Sequence, residues 1–282
     1  MDLGQVPSSV DTAYWLNGVR EARPLVHNIT NWVVTNIVAN ALLAIGASPV
    51  MAYAREEVAD MARLAGAVAL NMGTLDTPVL DSICIAGQAA NAAGVPVVFD
   101  PVGVGATPFR DAAAARVLSE VHVDILRGNA GEIGVLLGAG GEVKGVDSAG
   151  ADVHLPEAMK SYAAAHECVV VATGETDYVT DGETVWELNN GHPLLAAITG
   201  SGCMATGILG AFSAVAGRGA ERTHLAQAAA AALTAYNVAA ELAASQAAGP
   251  GTFQAALFDA LYHLHPEVVA ARAHMRVWGA EG

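Results

Sequence analysis

The feature that most constrains this chain is an alternation of short apolar runs with longer stretches of helical periodicity. The apolar runs have the length and the Val-rich composition of buried strands, and they occupy 24–29, 48–52, 66–73, 95–102, 123–129 and 167–174. The helical patterns between them cover 31–44, 55–64, 76–93 and 108–119. Strands that alternate with helices are typical of a parallel sheet covered on both faces. The sequence therefore predicts an α/β fold in three layers around a mostly parallel central sheet.

The pattern changes in the last third of the chain. The segment DYVTDGETVWEL, at 177–188, places Asp181-Gly182 between two strand-like runs, which is a hairpin signal. We therefore expect an antiparallel hairpin to end the mostly parallel sheet. From Thr199 onward the sequence predicts almost only helix, including the Ala-rich stretch 222–247 and a further helix at 252–264.

The domain organisation follows from length and uniformity. A chain of 282 residues is long enough for one large domain or two small ones. Its 53% hydrophobic content is ample for one sizeable core, and no linker, internal repeat or low-complexity tail divides the pattern. The loosest segment, 138–150, is rich in glycine and is typical of a surface loop. We predict a single domain over 1–282.

The charge balance excludes one class of partner. The chain has 13 Lys and Arg against 28 Asp and Glu, a formal net charge of −15, and it contains no basic run. A nucleic-acid-binding protein needs a basic surface to displace counterions from phosphates, so that class is set aside. A small phosphate-bearing ligand stays compatible with this acidity, because helix N-termini, main-chain N–H groups and a metal ion can hold it.

Three features bear on the compartment. Cys84, Cys168 and Cys203 are odd in number and widely spaced, which suits a reducing environment better than a disulfide framework. Residues 1–15 have neither a basic n-region nor a continuous apolar h-region. The uncharged stretch 193–217 is rich in glycine, which favours a glycine turn that opens a buried helix over a membrane span. We expect a cytoplasmic protein without a membrane partner.

In an open α/β sheet, ligands bind outside the carboxyl ends of the strands, so polar and glycine residues at these points are candidate site residues. The segment TGSGCMATG, at 199–207, opens a helix whose N-terminal N–H groups favour an anion, with Gly200 and Gly202 allowing close approach. The same helix field lowers the pKa of a thiol in the first turn, here that of Cys203. The alternative is a plain packing turn with a buried, inert cysteine.

Three further places follow predicted strands. Asp100 is placed to hold Mg²⁺ directly or through water, or simply to cap the following turn. Arg127 offers a planar fork for phosphate, and Glu132 adds a carboxylate nearby. The spacing from Asn129 to Glu132 equally fits a helix N-cap with its capping box, and both interpretations can hold together. Thr173 with the following glycine either contacts a nucleotide or forms the turn into the hairpin.

Other familiar motifs are missing from the sequence. The histidines show no metal-ligand spacing and there is no CxxC, so zinc is not supported. Neither a GxxxxGK[ST] phosphate loop nor a GxGxxG that opens a first βαβ unit is present.

The candidate segments occur together and in order, and with them the chain closely resembles the hydroxyethylthiazole kinase family of the ribokinase-like superfamily. The resemblance runs from about 24 to 217, and it is carried by seven blocks: HNITN, GASPVMA, LNMGTL, DPVGVGAT, RGNAGEI, GVDS and TGSGC. Seven ordered blocks are far more specific than any single motif. The departure is Ser201, where threonine is also common in the family. The first 20 residues and the C-terminal helices match only loosely.

The resemblance implies a ribokinase-like fold and an ATP-dependent phosphorylation of the primary alcohol of 4-methyl-5-(2-hydroxyethyl)thiazole for thiamine salvage. By the family pattern, ATP is bound by Arg127, Thr173, Gly200 and Gly202. Asp100 and Glu132 lie near the phosphates and Mg²⁺. The thiazole site is formed by Asn28, Met51 and Gly200. Family members are homotrimers with active sites at subunit interfaces, so the same assembly is expected here.

The resemblance also implies a role for Cys203, which matches the position beside the acceptor hydroxyl, where many ribokinase relatives have an aspartate base. Phosphoryl transfer depends more on positioning and charge stabilisation than on base strength, so Cys203 either accepts the hydroxyl proton late or only orients the alcohol. A thiolate beside three phosphates is electrostatically opposed, which argues against full ionisation.

Two other functions remain open from the sequence. One is another ribokinase-like activity, such as a hydroxymethylpyrimidine kinase or an ADP-dependent hydrate dehydratase, although these relatives usually have Asp after the glycines where this chain has Cys203. The other is a catalytically silent thiazole- or nucleotide-binding regulator, against which the complete set of candidate anion-binding and carboxylate residues argues.

Overall fold

The computed structural model describes residues 9–138 and 155–279, and the segment 138–150 that was predicted as a loop therefore lies, apart from Gly138, outside the described residues. The described residues form nine strands and eleven α-helices. The strands are β1 (Leu25–Ile29), β2 (Ser48–Val50), β3 (Ala67–Asn71), β4 (Val97–Asp100), β5 (Ile125–Asn129), β6 (Val169–Thr173), β7 (Asp177–Thr180), β8 (Val185–Leu188) and β9 (Met275–Val277).

The helices alternate with the strands in the first half of the chain and follow one another near its end. They are α1 (Thr12–Ala22), α2 (Thr35–Ile45), α3 (Val58–Leu64), α4 (Thr77–Ala92), α5 (Pro108–Glu120), α6 (Ala130–Leu136), α7 (Leu155–His166), α8 (Ser201–Ala216), α9 (Arg222–Ala244), α10 (Pro250–Tyr262) and α11 (Pro266–Arg272). A short 3₁₀ segment, Pro193–Ala197, precedes α8.

All nine strands form one sheet in the order β2-β1-β3-β4-β5-β6-β7-β8-β9. The pairings from β2 through β6 are parallel, and those from β6 through β9 are antiparallel. The predicted mostly parallel sheet and the hairpin at 181–182 are confirmed: Gly182 has a φ of +90°, and the Asp181 carboxylate accepts from two N–H groups of the turn. The hairpin does not end the sheet, however, because β9 adds a further edge strand.

Alternate residues of the central strands enter two separate cores. Val98 and Ile125 face the core formed with α1, α2, α8, α9 and α10, whereas Phe99 and Leu126 face the core formed with α3, α4, α5 and α7. This alternation buries both faces of the sheet and explains why its strands are continuous apolar runs. The three-layer fold predicted from the sequence is confirmed.

The predicted elements and the observed ones differ at a few places. The helix predicted over 31–44 begins only at Thr35, because residues 31–34 form a turn in which the Asn31 carbonyl accepts from Val34 N–H and Thr35 Oγ1. The elements α1, α7, α11 and β9 were not predicted. The edge strand β9 has three residues, none of them fully buried, so it shows too little alternation to be seen in the sequence.

The uncharged stretch 193–217 folds as predicted, into a turn and a buried helix. Among residues 9–138 and 155–279, no helix is both long and apolar enough to cross a membrane.

Candidate active site

The parallel strands end at one edge of the sheet, and this edge brings the candidate site residues together. Asp100 is the last residue of β4, and its register partner is Asn71, the last residue of β3. Arg127 lies in β5, and Thr173 ends the neighbouring β6. Helix α8 begins over the same edge and packs against β1, β3 and β4. The carboxyl ends of four strands therefore face the first turn of one helix.

Asp100 is fully buried at the centre of this arrangement. Its Oδ2 accepts from Asn71 Nδ2 at 2.8 Å, from Thr206 Oγ1 at 2.7 Å and from Arg127 Nη1 at 3.2 Å. Its Oδ1 is buried and has no hydrogen-bond partner in the part of the chain that the structure describes. Burial raises the pKa of Asp100, although the Arg127 charge and the Thr206 hydrogen bond act in the opposite direction.

Arg127 joins two sides of the site. Its Nη1 pairs with the Asp100 carboxylate, and its Nη2 donates to Thr173 Oγ1 at 2.6 Å. Helix α8 passes so close that a Cβ on Gly202 would lie 2.9 Å from Arg127 Nη1. Only glycine at 202 leaves the guanidinium in this position without displacement. Arg127 Nε is buried without a partner among the described residues.

The first turn of α8 is shaped by Gly200. Gly200 has a φ of +83°, and a Cβ there would lie 2.6 Å from both Val34 Cγ1 and Ile37 Cδ1. The conformation and the space therefore both require glycine. The N–H groups of Ser201, Gly202 and Cys203 belong to the first helical turn, so they have no carbonyl partner within the helix, and this turn lies beside Asn71 and Arg127 at the sheet edge. The predicted glycine turn at the start of a buried helix is confirmed.

Cys203 lies in this first turn and is 9% exposed. Its Sγ accepts from Asn31 Nδ2 and from Asn71 Nδ2, each at 3.3 Å. Burial raises the pKa of the Cys203 thiol to about 11, and the Asp100 charge adds to the rise, while Arg127 opposes it. The expectation that the helix field would lower this pKa is therefore wrong, because desolvation and a neighbouring carboxylate outweigh it. The sequence argument against full ionisation agrees with this direction.

Glu132 occupies the capping position that its spacing indicated. Asn129 and Glu132 form a complete capping box at the start of α6. The Glu132 carboxylate also accepts from Gly103 N–H at 2.8 Å, which fixes the loop after Asp100 to the start of α6. Arg110 holds the other side of this loop by donating to the main-chain carbonyls of Met72, Val102 and Gly73. Glu132 thus shapes the loop beside the Asp100 carboxylate.

The two other predicted substrate residues lie away from the Asp100 and Arg127 pair. Asn28 is buried in β1, where its Nδ2 donates to the Val26 carbonyl, and its Oδ1 faces α8 one turn beyond Cys203, beside Gly207. Met51 directly follows β2 and is half-buried against the core under α8. The structure therefore brings Asp100, Arg127, Thr173, Gly200, Gly202 and Cys203 together, and it sets Asn28 and Met51 on the β1–β2 side.

Sequence reasoning missed three polar residues of the site: Asn71, Thr206 and Asn31. Asn71 ends a strand, in the block LNMGTL, and its register beside Asp100 is the signal that could have found it. Thr206 lies three residues after Cys203, one helical turn further along the same face. Asn31 carries no such signal, because its contact with Cys203 depends on the turn before α2.

Among the residues that the structure describes, no three His, Cys, Asp or Glu side chains are grouped as a complete metal site. Asp100 nevertheless offers a carboxylate oxygen without a partner. Mg²⁺ usually keeps several waters and binds through one or two carboxylates together with substrate phosphates, so a single available carboxylate fits this ion.

Comparison with known proteins gives consistent matches over most of the chain. Residues 16–267 match the model of the hydroxyethylthiazole kinase family. A hydroxyethylthiazole kinase from Moorella thermoacetica is 56% identical over 92% of this chain and 95% of its own length. The structure of a hydroxyethylthiazole kinase protein from Pyrococcus horikoshii OT3 is 44% identical, with a TM-score of 0.85 over 94% of this chain and 98% of that one. A ribokinase-like superfamily protein from Enterococcus faecalis V583, 12% identical, shares the fold with a TM-score of 0.57 over 91% of this chain and 90% of that one.

Proposed function

The chain belongs to the hydroxyethylthiazole kinase family, and on this basis we propose that it transfers the γ-phosphoryl group of ATP to the primary alcohol of 4-methyl-5-(2-hydroxyethyl)thiazole. The alcohol oxygen forms a bond to the γ-phosphorus, the bond between the γ-phosphorus and the β,γ-bridging oxygen breaks, and the hydroxyl proton is released. The products are the thiazole phosphate and ADP, which places the reaction in thiamine salvage.

The observation that carries this proposal is that one buried hydrogen-bond acceptor and one buried donor at the site lack partners among the described residues. Asp100 Oδ1 is an acceptor and Arg127 Nε is a donor, and neither has a partner among the described residues. A buried polar atom without a partner costs about 1–3 kcal/mol, so both atoms favour a ligand that satisfies them. A metal–nucleotide complex brings a cation and a phosphate together. Its cation would pair with Asp100 Oδ1, and its phosphate would accept from Arg127 Nε.

The nucleotide is held by Arg127, Thr173, Gly200 and Gly202 in this proposal. The guanidinium of Arg127 is already oriented by Thr173 and Asp100, so little side-chain freedom is lost when it meets a phosphate. The N–H groups at the start of α8 add a preorganised anion site. Such donors stabilise the transferring group in a loose transition state, where positioning and charge matter most.

Asp100 would hold Mg²⁺, and Glu132, across the adjoining loop, would add a second carboxylate near the ion. When bound, the ion would neutralise charge on the transferred phosphoryl group. Both carboxylate oxygens of Glu132 already accept main-chain N–H bonds, so its second role is to keep the Asp100 loop in place.

The thiazole lies on the β1–β2 side, against Asn28, Met51 and Gly200, with its hydroxyl directed to Cys203. A small neutral aromatic ligand needs a mostly apolar pocket with few polar groups, which the half-buried Met51 and the Val34 and Ile37 side chains beside Gly200 support. Cys203 is a neutral thiol, consistent with a pKa of about 11, and it orients the alcohol by a hydrogen bond. Because the thiol already carries its proton, the proton of the alcohol passes to an oxygen of the transferred phosphoryl group or to water.

We further propose that the protein is a homotrimer with active sites at the subunit interfaces. Support comes from large apolar side chains that are exposed on α2 and directly before it: Trp32 is 57% exposed, Val33 is 70% and Leu43 is 58%. Large exposed apolar side chains are typical of an interface, and Trp32 and Val33 directly follow Asn31, whose amide contacts Cys203. The three cysteines are unpaired, which supports a cytoplasmic location.

The experiment is ADP release by purified protein with ATP, Mg²⁺ and hydroxyethylthiazole, with hydroxymethylpyrimidine and pyridoxal as alternative acceptors. We expect turnover with the thiazole to exceed turnover with both others. Faster turnover with hydroxymethylpyrimidine would favour the other kinase activity. Tight thiazole or nucleotide binding without any turnover would favour a regulator.

A further inference from the structure

Two consecutive side chains of α9 reach both sides of the candidate nucleotide site. Tyr236 donates its hydroxyl to the carbonyl of Ser201, the first residue of α8, at 3.0 Å. Asn237 donates from Nδ2 to Asp177 Oδ2 at 2.8 Å. Asp177 in turn accepts the Gly174 N–H at 2.9 Å through Oδ1. Because Gly174 follows Thr173, α9 is connected to the β6–β7 turn as well as to the first turn of α8.

These hydrogen bonds are buried, so they stabilise only one relative position of α9, α8 and the β6–β7 turn. Tyr236, Asn237 and Asp177 are 3%, 5% and 5% exposed. Asp177 has both carboxylate oxygens occupied, one by the turn and one by α9. In a buried position, the loss of either donor leaves an acceptor without water or partner, so displacement of the turn is costly. The positions of Ser201 and Gly174 are therefore coupled to one rigid helix.

The site lies between the two anchored points. Arg127 donates to Thr173 on one side, and on the other side the space beside its guanidinium is too small for a Cβ on Gly202. Burial raises the pKa of Tyr236 in α9 and of Asp177 in β7, and Arg127 lies near enough to both for its charge to oppose that rise. A shift of either anchored element by a few tenths of an ångström would change the distance between the α8 N–H groups and Thr173.

We propose that Tyr236 and Asn237 are positioning residues for the nucleotide: they fix the separation between the first turn of α8 and the β6–β7 turn, with Asp177 as the link to the latter. This inference rests on the proposed function, since it assumes that the phosphates lie between these elements. In this proposal neither side chain touches substrate: Tyr236 acts through the main chain of Ser201, and Asn237 acts through Asp177 on the main chain of Gly174.

The same helix offers a matched control. Thr234 is buried on α9, and its hydroxyl donates to the Ala230 carbonyl within the helix itself. A Thr234→Val substitution removes one buried hydroxyl from α9, and the hydrogen bond that is lost lies within the helix and does not reach α8 or the β6–β7 turn. Any general effect of a lost hydroxyl on α9 is thus present in Thr234→Val, whereas the effect on the nucleotide site is not.

The test measures the affinity of wild type, Tyr236→Phe, Asn237→Ala and Thr234→Val for β,γ-methylene-ATP with Mg²⁺, and separately for hydroxyethylthiazole, by calorimetry on the full chain. We expect Tyr236→Phe and Asn237→Ala each to raise the Kd for the nucleotide by about 3- to 10-fold, the range for one lost hydrogen bond. The Kd for the thiazole should change less than about 2-fold, and Thr234→Val should leave both unchanged. In turnover assays the KM for ATP rises while the KM for the thiazole does not.

Wild-type nucleotide affinity in Tyr236→Phe would overturn the proposal, and so would an equal loss of nucleotide and thiazole affinity in both variants. If Asn237→Ala does not fold, Tyr236→Phe alone decides, because it removes only one oxygen atom. The proposed function is tested separately: absence of thiazole-dependent ADP release by the wild type would refute that function, while the nucleotide Kd values would still decide the role of α9.

Discussion

Replacement of Gly200 by alanine tests the geometry of the candidate site most directly. Two separate costs arise there. The backbone has a φ of +83°, and an L-residue in the left-handed region costs about 1–2 kcal/mol. The new methyl would also lie 2.6 Å from Val34 Cγ1 and from Ile37 Cδ1, and 2.9 Å from Val34 Cβ. Overpacking of this kind costs about 1–3 kcal/mol. The sum is a loss of about 2–5 kcal/mol of unfolding free energy.

Gly219 provides the control that separates these costs. Its φ is +64°, but a Cβ there would meet nothing within 4 Å. Gly219→Ala should therefore lose only about 1–2 kcal/mol. The difference between the two variants, about 1–3 kcal/mol, measures the contact with α2.

The assay is urea unfolding of wild type, Gly200→Ala and Gly219→Ala at one protein concentration, since assembly contributes to apparent stability. Thiazole kinase turnover is measured in parallel. Because Gly200 sets the first turn of α8, we expect Gly200→Ala to lower kcat/KM by about 100-fold, as for a misplacement near 1 Å. Gly219→Ala should keep wild-type turnover. Equal stability of the two variants would refute the argument that α2 restricts position 200.

Three further predictions follow from single contacts. Cys203→Ala lowers kcat by about 10- to 10⁴-fold, a range that brackets the loss of alcohol orientation and the usual general-base effects, and an unchanged kcat in steady-state assays would remove its chemical role. Tyr53→Phe lowers the unfolding free energy by about 1–3 kcal/mol, because the lost hydroxyl accepts from the N–H of Thr30 and donates to its carbonyl. Denaturant unfolding that shows no loss of stability would contradict this. Burial raises the pKa of Asp177 to about 6, above its unfolded value, so the folded protein retains a proton that the unfolded chain releases, and stability falls as pH rises from about 4 to 6. Asp177→Asn removes this titrating group. The unfolding free energy of the variant, relative to that of the wild type, should therefore be higher at pH 7 than at pH 4.5, and an equal difference at both pH values would contradict the argument.

The strands were predictable because burial on both faces makes each one a continuous apolar run that ends at a polar or glycine residue. Asp100, Arg127 and Thr173 were found by that rule, since each lies in the last three residues of a strand. The rule gives the edge of the sheet on which a residue lies. It does not give its hydrogen-bond partners, which depend on the register between strands and on the approach of α8.

The residues that sequence reasoning missed all depend on such tertiary placement. In the sequence, Thr206 is one residue of an apolar helix pattern, and its hydrogen bond to Asp100 joins residues that are 106 positions apart. Tyr236 and Asn237 lie in an Ala-rich helix whose pattern indicates only burial, although they contact residues 35 and 60 positions away. The pKa of Cys203 was misjudged for the same reason: the helix field is local and visible in the sequence, whereas the desolvation and the nearby Asp100 carboxylate are not.

A neutral residue at 203 follows from the charges around it. Asp100 is buried with a charged partner in Arg127, and one of its oxygens is left for a cation. A second ionised group in the first turn of α8 would repel both the Asp100 carboxylate and the incoming phosphates, and it would compete for the Arg127 charge. A thiol with a pKa of about 11 avoids this, and the Asn31 and Asn71 amides that donate to its sulfur hold it in place in the first turn of α8. Since a loose transition state places little demand on the base, electrostatic compatibility with the nucleotide outweighs proton affinity at this position.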